Sequence, residues 1–220
     1  MMMNYSQLSE QFTPLDQTAG LVHFFTLRIP GIAVSEDKKK VVEDLEEAHT
    51  QIALRHHIDF GSIVRCEQTH GDMSVVVESL QDSVIPDADA LITRCRQLPI
   101  GIHVADCCPV FIYEQSTPSI ALIHSGKRGT LLNITGKTVT KMKNEFQVPS
   151  SSFTAVLGPC IRKEHYEMDI PAEIKRQLYE CGVERVYDCQ MDTAGDLSRY
   201  YSYRMEKGKT GRLFGVMMIL

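Results

Sequence analysis

Apolar residues recur along this chain in two rhythms. Short, nearly continuous apolar runs of strand length alternate with stretches in which apolar positions return every three or four residues. Leu21–Leu27, Ser62–Cys66, Met73–Val77 and the segment running to Thr93 from the turn at Pro86 read as strands. So do Ile100–Tyr113, Ser119–His124, Phe153–Leu157, Val183–Tyr187 and Leu213–Leu220. The last is apolar throughout, as a strand buried on both faces must be. Helical spacing runs from Ser35 to about His57 through Val41, Leu45, Ala48 and Ile52. Ser35 predicts its N-cap, and Lys38–Lys40 predict a solvated face. A second helix is expected over Leu131–Phe146, closed by Pro149. A third spans Ile170–Cys181 with Pro171 in its first turn, and Leu197–Met205 reads as helical too. Residues 1–20 are polar and predict a flexible lead-in, which leaves 21–220 as one domain mixing short strands with helices.

Composition narrows the classes. The chain has 220 residues, 43% of them hydrophobic, and a formal net charge of -5. No basic run points to nucleic acid. No apolar run reaches the roughly 18 residues of a membrane span. The N-terminus lacks a signal peptide's basic start and apolar core, so a cytoplasmic location is expected. Seven cysteines without a CxxC pair read as thiols of a reducing compartment.

The pattern breaks most sharply at Ala105-Asp106-Cys107-Cys108-Pro109 inside the central apolar run. Proline has no N–H for a ladder, so the strand is expected to stop there. His70 in Gln68-Thr69-His70-Gly71 and His124 before Ser125-Gly126 also stand at predicted strand ends beside glycine. Strand ends on a rigid scaffold are where sites are built. Two imidazoles and one thiolate make a zinc set with a fourth position open to water or substrate. Cys108 faces opposite to Cys107 if both lie on a strand. His103 reads as structural. Arg128, in Gly126-Lys127-Arg128-Gly129 before a helix, is a natural anion contact.

Taken together, these segments resemble the YfiH-like family, also called laccase-domain or polyphenol oxidase proteins. Glu67-Gln68-Thr69-His70-Gly71, Asp87-Ala88-Asp89-Ala90-Leu91-Ile92-Thr93 and Val104-Ala105-Asp106-Cys107-Cys108-Pro109-Val110 match its motifs in order. Ala121–Gly129, Leu157-Gly158-Pro159-Cys160-Ile161, Ser202-Tyr203-Arg204 and Thr210-Gly211-Arg212 follow. The resemblance implies an α+β fold, with mixed β-sheets sandwiched between helical layers. It implies a zinc site at His70, Cys107 and His124, with copper as the older alternative. It also implies purine nucleoside chemistry: phosphorolysis of adenosine, inosine, guanosine or methylthioadenosine, or deamination of adenosine. Asp106 is then a proton carrier or the orienter of a ligand histidine, and Arg28, Gln68 and Arg128 are substrate contacts. The expected partners are a nucleoside and phosphate, in a monomer or homodimer. Departures are visible too, among them a late L-D-L-x-x-A-N pattern that is hard to find around Asp192–Leu197. Lys127 replaces the family's tryptophan, His165 replaces a cysteine, and the glycines after Arg28 are thinned.

Competing functions differ in what they need. A multicopper oxidase needs about ten histidines around its cluster, by the ligand preferences of copper; eight are present, with no H-x-H pair. The usual zinc-deaminase signature, H-x-E with P-C-x-x-C, is absent. A cysteine hydrolase or amidase would pair Cys107 with His70 or His124 as nucleophile and base. An inactive binding member would turn over no nucleoside at all.

Overall fold

A computed structural model describes residues 5–80 and 84–220. Its elements in chain order are β1 (Ser9–Glu10), β2 (Leu21–Thr26), α1 (Lys38–Arg55), β3 (Val64–Cys66), β4 (Ser74–Val76) and β5 (Val84–Ile85). Then come β6 (Ala90–Thr93), β7 (Ile100–Val104), β8 (Cys108–Glu114), β9 (Ser119–Ser125), α2 (Lys127–Leu131) and α3 (Ile134–Phe146). The chain closes with β10 (Phe153–Leu157), α4 (Ile170–Glu180), β11 (Arg185–Asp188) and β12 (Leu213–Ile219).

The strands form two mixed six-stranded sheets, ordered β1-β2-β12-β7-β3-β5 and β11-β10-β8-β9-β6-β4. Alternation along the second sheet shows how the layers stack. Phe111, Ile120, Leu122 and Val156 join a core with Phe24, Phe25, Ile102 and Val216 of the first sheet. Their neighbours Val110, Ile112, Ala121, Ile123 and Ala155 face the other way, onto Val139, Met142, Ile174 and Leu178 of α3 and α4. Successive strand residues point to opposite faces, so each strand here serves two cores. Helix α1 packs Val41, Leu45 and Ile52 into the first core. Gly215 of β12 leaves space that the Phe111 ring of the facing sheet uses; a Cβ there would lie 3.1 Å from that ring. The result is α+β, two mixed sheets with helices, as expected.

Five local readings are corrected. The central run does not form one strand. It is two, β7 in the first sheet and β8 in the second, joined by Ala105-Asp106-Cys107. Pro109 does not end a strand; it lies inside β8 opposite His124, and its carbonyl accepts from the Gly158 N–H at 2.9 Å. Asp106 makes the turn with a φ of 80°. Helix α1 starts at Lys38, because Asp37 accepts from the Lys39 and Lys40 N–H groups while Ser35 accepts from Asp37 instead. The helix expected from Leu131 is broken at Asn133, whose left-handed backbone and side-chain cap start α3. Residues 197–205 form turns, not a helix.

The first twenty residues also differ from a loose lead-in where they are described. Ser9–Glu10 pairs with β2, and Phe12 and Leu15 are buried. Two apolar side chains in seven residues suffice to dock the segment, a signal that its polar average conceals. No helix among the described residues is long and apolar enough to cross a membrane.

Candidate metal and substrate site

The crossover between the sheets decides the site. Because β7 and β8 belong to different sheets, the connection 105–107 crosses where both layers end. Cys107 is delivered there, against the end of β9, which carries His124. His70 arrives on the loop after β3. That loop is unusual: Gln68 and His70 both take left-handed φ, 61° and 60°. Such backbone costs on the order of 1–3 kcal/mol per residue and persists only when its surroundings enforce it. Here Asp89 enforces it. Its carboxylate accepts from the backbone N–H groups of Thr69 at 3.2 Å, His70 at 3.0 Å and Gly71 at 2.7 Å.

The ligand atoms of His70, Cys107 and His124 all lie within 4.8 Å of one another. The two rings meet edge to face, with centroids 4.8 Å apart. Gly126 closes the group from below. A Cβ at this position would fall 2.7 Å from the Cys107 sulfur and 3.2 Å from the His70 ring. The donor set fits a metal: two imidazoles and a thiolate, with no fourth protein ligand gathered among the described residues.

Electrostatics agree with that fit. Burial opposes ionisation of the Cys107 thiol, but His124 and His70 beside it outweigh burial and bring it down to about 6. Burial likewise opposes protonation of His124; Cys107 and Asp89 overcome it and raise the imidazole to about 9. The cluster thus pairs a thiolate with a protonated His124, which gives up that proton when its nitrogen takes a cation. Burial works against charge on Asp89 as well, yet the bonds from His124 and from the Gly71 and His70 N–H groups hold its carboxyl below the ordinary range.

The three residues line one side of a cavity of about 950 Å³, the size of a small-molecule site. Its wall is basic. Lys38, Lys127, Arg128, Arg204, Lys207 and Arg212 line it against two carboxylates, Asp106 and Glu167. Glu167 is spent on Lys127 at 3.0 Å and on Arg204. The Arg204 guanidinium also lies 4.8 Å over the Tyr166 ring.

The other expected site residues fall in three places. Asp106 lines the cavity but forms no hydrogen bond with a histidine among the described residues; it accepts from Thr193 Oγ1 and from the Arg204 N–H, both at 2.7 Å. Burial raises its carboxyl above the ordinary range. Gln68 lines the cavity too, with its amide spent on the backbone of β7: it donates to the His103 carbonyl and accepts from the His103 N–H. Arg128 lines the cavity and forms no ion pair among the described residues. Arg28 stands outside that lining. It pairs with Glu206 at 2.8 Å and lies 4.4 Å over the Tyr201 ring.

Two residues escaped the sequence reading. Asp89 takes the orienting role expected of Asp106; the Asp-Ala-Asp-Ala run was visible, but nothing local tied it to a histidine 35 residues on. Lys38 is exposed with Lys39 and Lys40, as a solvated face requires, but that face does not reveal its second role. Its Nζ also donates to the Glu67 carbonyl at 3.1 Å, and the residue lines the cavity.

Fold and site together define a two-sheet protein with a His-Cys-His cluster, able to hold a metal ion, in a basic cavity. The chain belongs to the family described as multi-copper polyphenol oxidoreductase laccase, whose model matches residues 29–172 and 163–220. It is 30% identical to a purine nucleoside phosphorylase of Deinococcus radiodurans over 230 residues, covering 89% of this chain and 88% of that one. It is 28% identical to a purine nucleoside phosphorylase of Clostridium acetobutylicum, over 69% of this chain and 75% of that one. An adenosine deaminase from an unknown prokaryotic organism is 26% identical over 61% of this chain and 53% of its own. The crystal structure of YlmD from Geobacillus stearothermophilus shares the fold, with a TM-score of 0.84 at 22% identity, covering 91% of this chain and 92% of that one.

Proposed function

We propose that this chain is a zinc-dependent purine nucleoside phosphorylase of the cytoplasm, with His70, Cys107 and His124 as the metal ligands. The observation that carries the reading is a three-ligand cluster opening into a cavity whose cations outnumber its carboxylates. A chain of net charge -5 concentrates positive charge here, which suits phosphate as a co-substrate. Zinc bound at such a site acts as a Lewis acid toward an oxygen or a water beside it.

In phosphorolysis a phosphate oxygen bonds to C1′ of the ribose as the bond from C1′ to the base nitrogen breaks. The bonding pair leaves with the base, which takes up a proton. The basic wall holds the phosphate against C1′ and stabilises the charge that moves during the exchange. Asp106, with its carboxyl raised by burial, is the group suited to carry the proton. Arg128 is a further substrate contact.

Copper is the second reading, because two histidines and a cysteine also form blue-copper centres with a weak axial methionine. The described residues lining this cavity include no methionine. They form one ligand cluster rather than several, which favours zinc over a multicopper assembly. The test is metal analysis of the purified protein joined to a nucleoside panel with and without phosphate. About one zinc per chain and phosphate-dependent release of free base are expected. Base release that ignores phosphate, or conversion of adenosine to inosine alone, would sink phosphorolysis. Full zinc and full activity in His124→Ala would sink the site.

A further inference from the structure

Lys38 and Lys39 are neighbours at the start of α1, yet they behave differently. Both are exposed as residues, but the Lys39 side chain takes no part in the cavity. Lys38 turns inward to the Glu67 carbonyl, on the loop that presents His70. Across from it lies Arg212, just before β12. Ser35 and Thr210 pair in an antiparallel bridge, with the Thr210 N–H donating to the Ser35 carbonyl at 3.3 Å. That bridge ties the two segments together three residues before Lys38 and two before Arg212. Gly211 is locked against the Tyr201 ring, where a Cβ would fall 2.3 Å from ring carbons, so the approach to Arg212 has little play.

Lys38 and Arg212 form no ion pair among the described residues, and Arg212 spends Nη1 on the Gly211 and Thr210 carbonyls. Burial depresses both, and Arg212 further depresses Lys38. Two like charges in one cavity wall, neither paired with a carboxylate among the described residues, favour an anion that joins them.

We propose that Lys38 and Arg212 form the oxyanion subsite of the cavity and that its ligand is inorganic phosphate. The assignment of the ligand rests on the phosphorolysis reading; the pairing of the two cations does not. Lys38 is the more telling of the two, because its main chain and neighbours belong to an ordinary helix start.

The experiment is calorimetric titration of the zinc-loaded full chain with inorganic phosphate, alongside steady-state kinetics in phosphate and in nucleoside. Lys38→Met and Arg212→Met are each expected to weaken phosphate binding about tenfold or more, the loss of one charge-assisted contact. The phosphate KM should rise in parallel, with the nucleoside KM within about twofold of wild type and zinc content unchanged. Lys38→Arg should recover most of the binding, and Lys39→Met should match wild type. Arg212 also braces its own turn, so Lys38→Met decides the matter if Arg212→Met does not fold. Wild-type phosphate affinity in Lys38→Met would overturn the subsite and leave phosphorolysis standing. A wild-type chain that binds no phosphate would overturn both. Lys38-dependent phosphate binding without turnover of any nucleoside would uphold the subsite and sink phosphorolysis.

Discussion

Asp89 Oδ1 lies 2.7 Å from Nδ1 of His124, and the same carboxylate holds the loop that carries His70. One buried acid therefore sets the ring of one ligand and the backbone of another. A carboxylate on the far nitrogen of a ligand histidine fixes its tautomer and strengthens its donor atom. In Asp89→Asn, zinc affinity should fall about 10–100-fold, read by competition with a chromogenic chelator. Unchanged affinity would show that the loop and ring are held by other groups.

Gly126 sits at a φ of -87°, which any residue adopts, so only space constrains it. Gly126→Ala should keep the fold by far-UV circular dichroism. It should also push Cys107 or His70 out of place, because the new methyl would fall 2.7 Å from the sulfur. Loss of stoichiometric zinc in a folded protein is the expected outcome. Full zinc occupancy would mean that the cluster has slack that its packing does not suggest.

Gln68 bridges its loop to β7 through both ends of its amide, at 2.5 and 2.9 Å. In Gln68→Leu, the His103 N–H and carbonyl lose their partners. Leaving buried backbone groups unpaired costs about 1–3 kcal/mol, to be read as a lower urea midpoint. A variant as stable as wild type, with only the nucleoside KM raised, would return Gln68 to the role of substrate contact.

His49 predicts a pH dependence. Its ring is buried against Phe214, centroids 5.3 Å apart, with no hydrogen-bond partner on either nitrogen. Burial, reinforced by Arg65, lowers its pKa from 6.5 to about 3. Above 6.5 both the folded and unfolded chains carry it neutral, so it contributes no pH dependence. Below 6.5 the unfolded chain takes a proton that the fold refuses, and stability falls by ~1.4 kcal/mol per pH unit until about pH 3. Between pH 7 and 5 the loss from this residue should be about 2 kcal/mol. His49→Phe should lack that share of the acid loss in urea titrations at the two pH values. An identical slope in both proteins would show that the ring is hydrated.

Much of this molecule was legible in the chain itself. Continuous apolar runs located β2, β9, β10 and β12 to within a residue or so, because a strand covered on both faces leaves no room for polar side chains. Periodic spacing located α1 and α4. His70, Cys107 and His124 were visible as ligand types beside breaks in pattern, a local property.

What depended on contacts between distant segments was not legible. Nothing local says that Ile100–Val104 and Cys108–Glu114 part into different sheets, since both are mainly apolar and sheet membership is settled by partners: β12 for one, β9 and β10 for the other. Asp89 and Asp106 are both acids in recognisable motifs. Only the register of β6 beside β9, with Ala90 opposite Ile123, sets Asp89 against His124, while the turn at Asp106 aims its carboxylate at Thr193 and Arg204. Lys38 looked like its neighbours until the Ser35–Thr210 bridge brought it to the cavity wall. The sequence by itself determined which side chains bury and which donors are available, because hydrophobicity and ligand chemistry belong to single residues. The tertiary structure alone decided which donors meet, because that turns on strand pairing and on the crossing of one short turn from sheet to sheet.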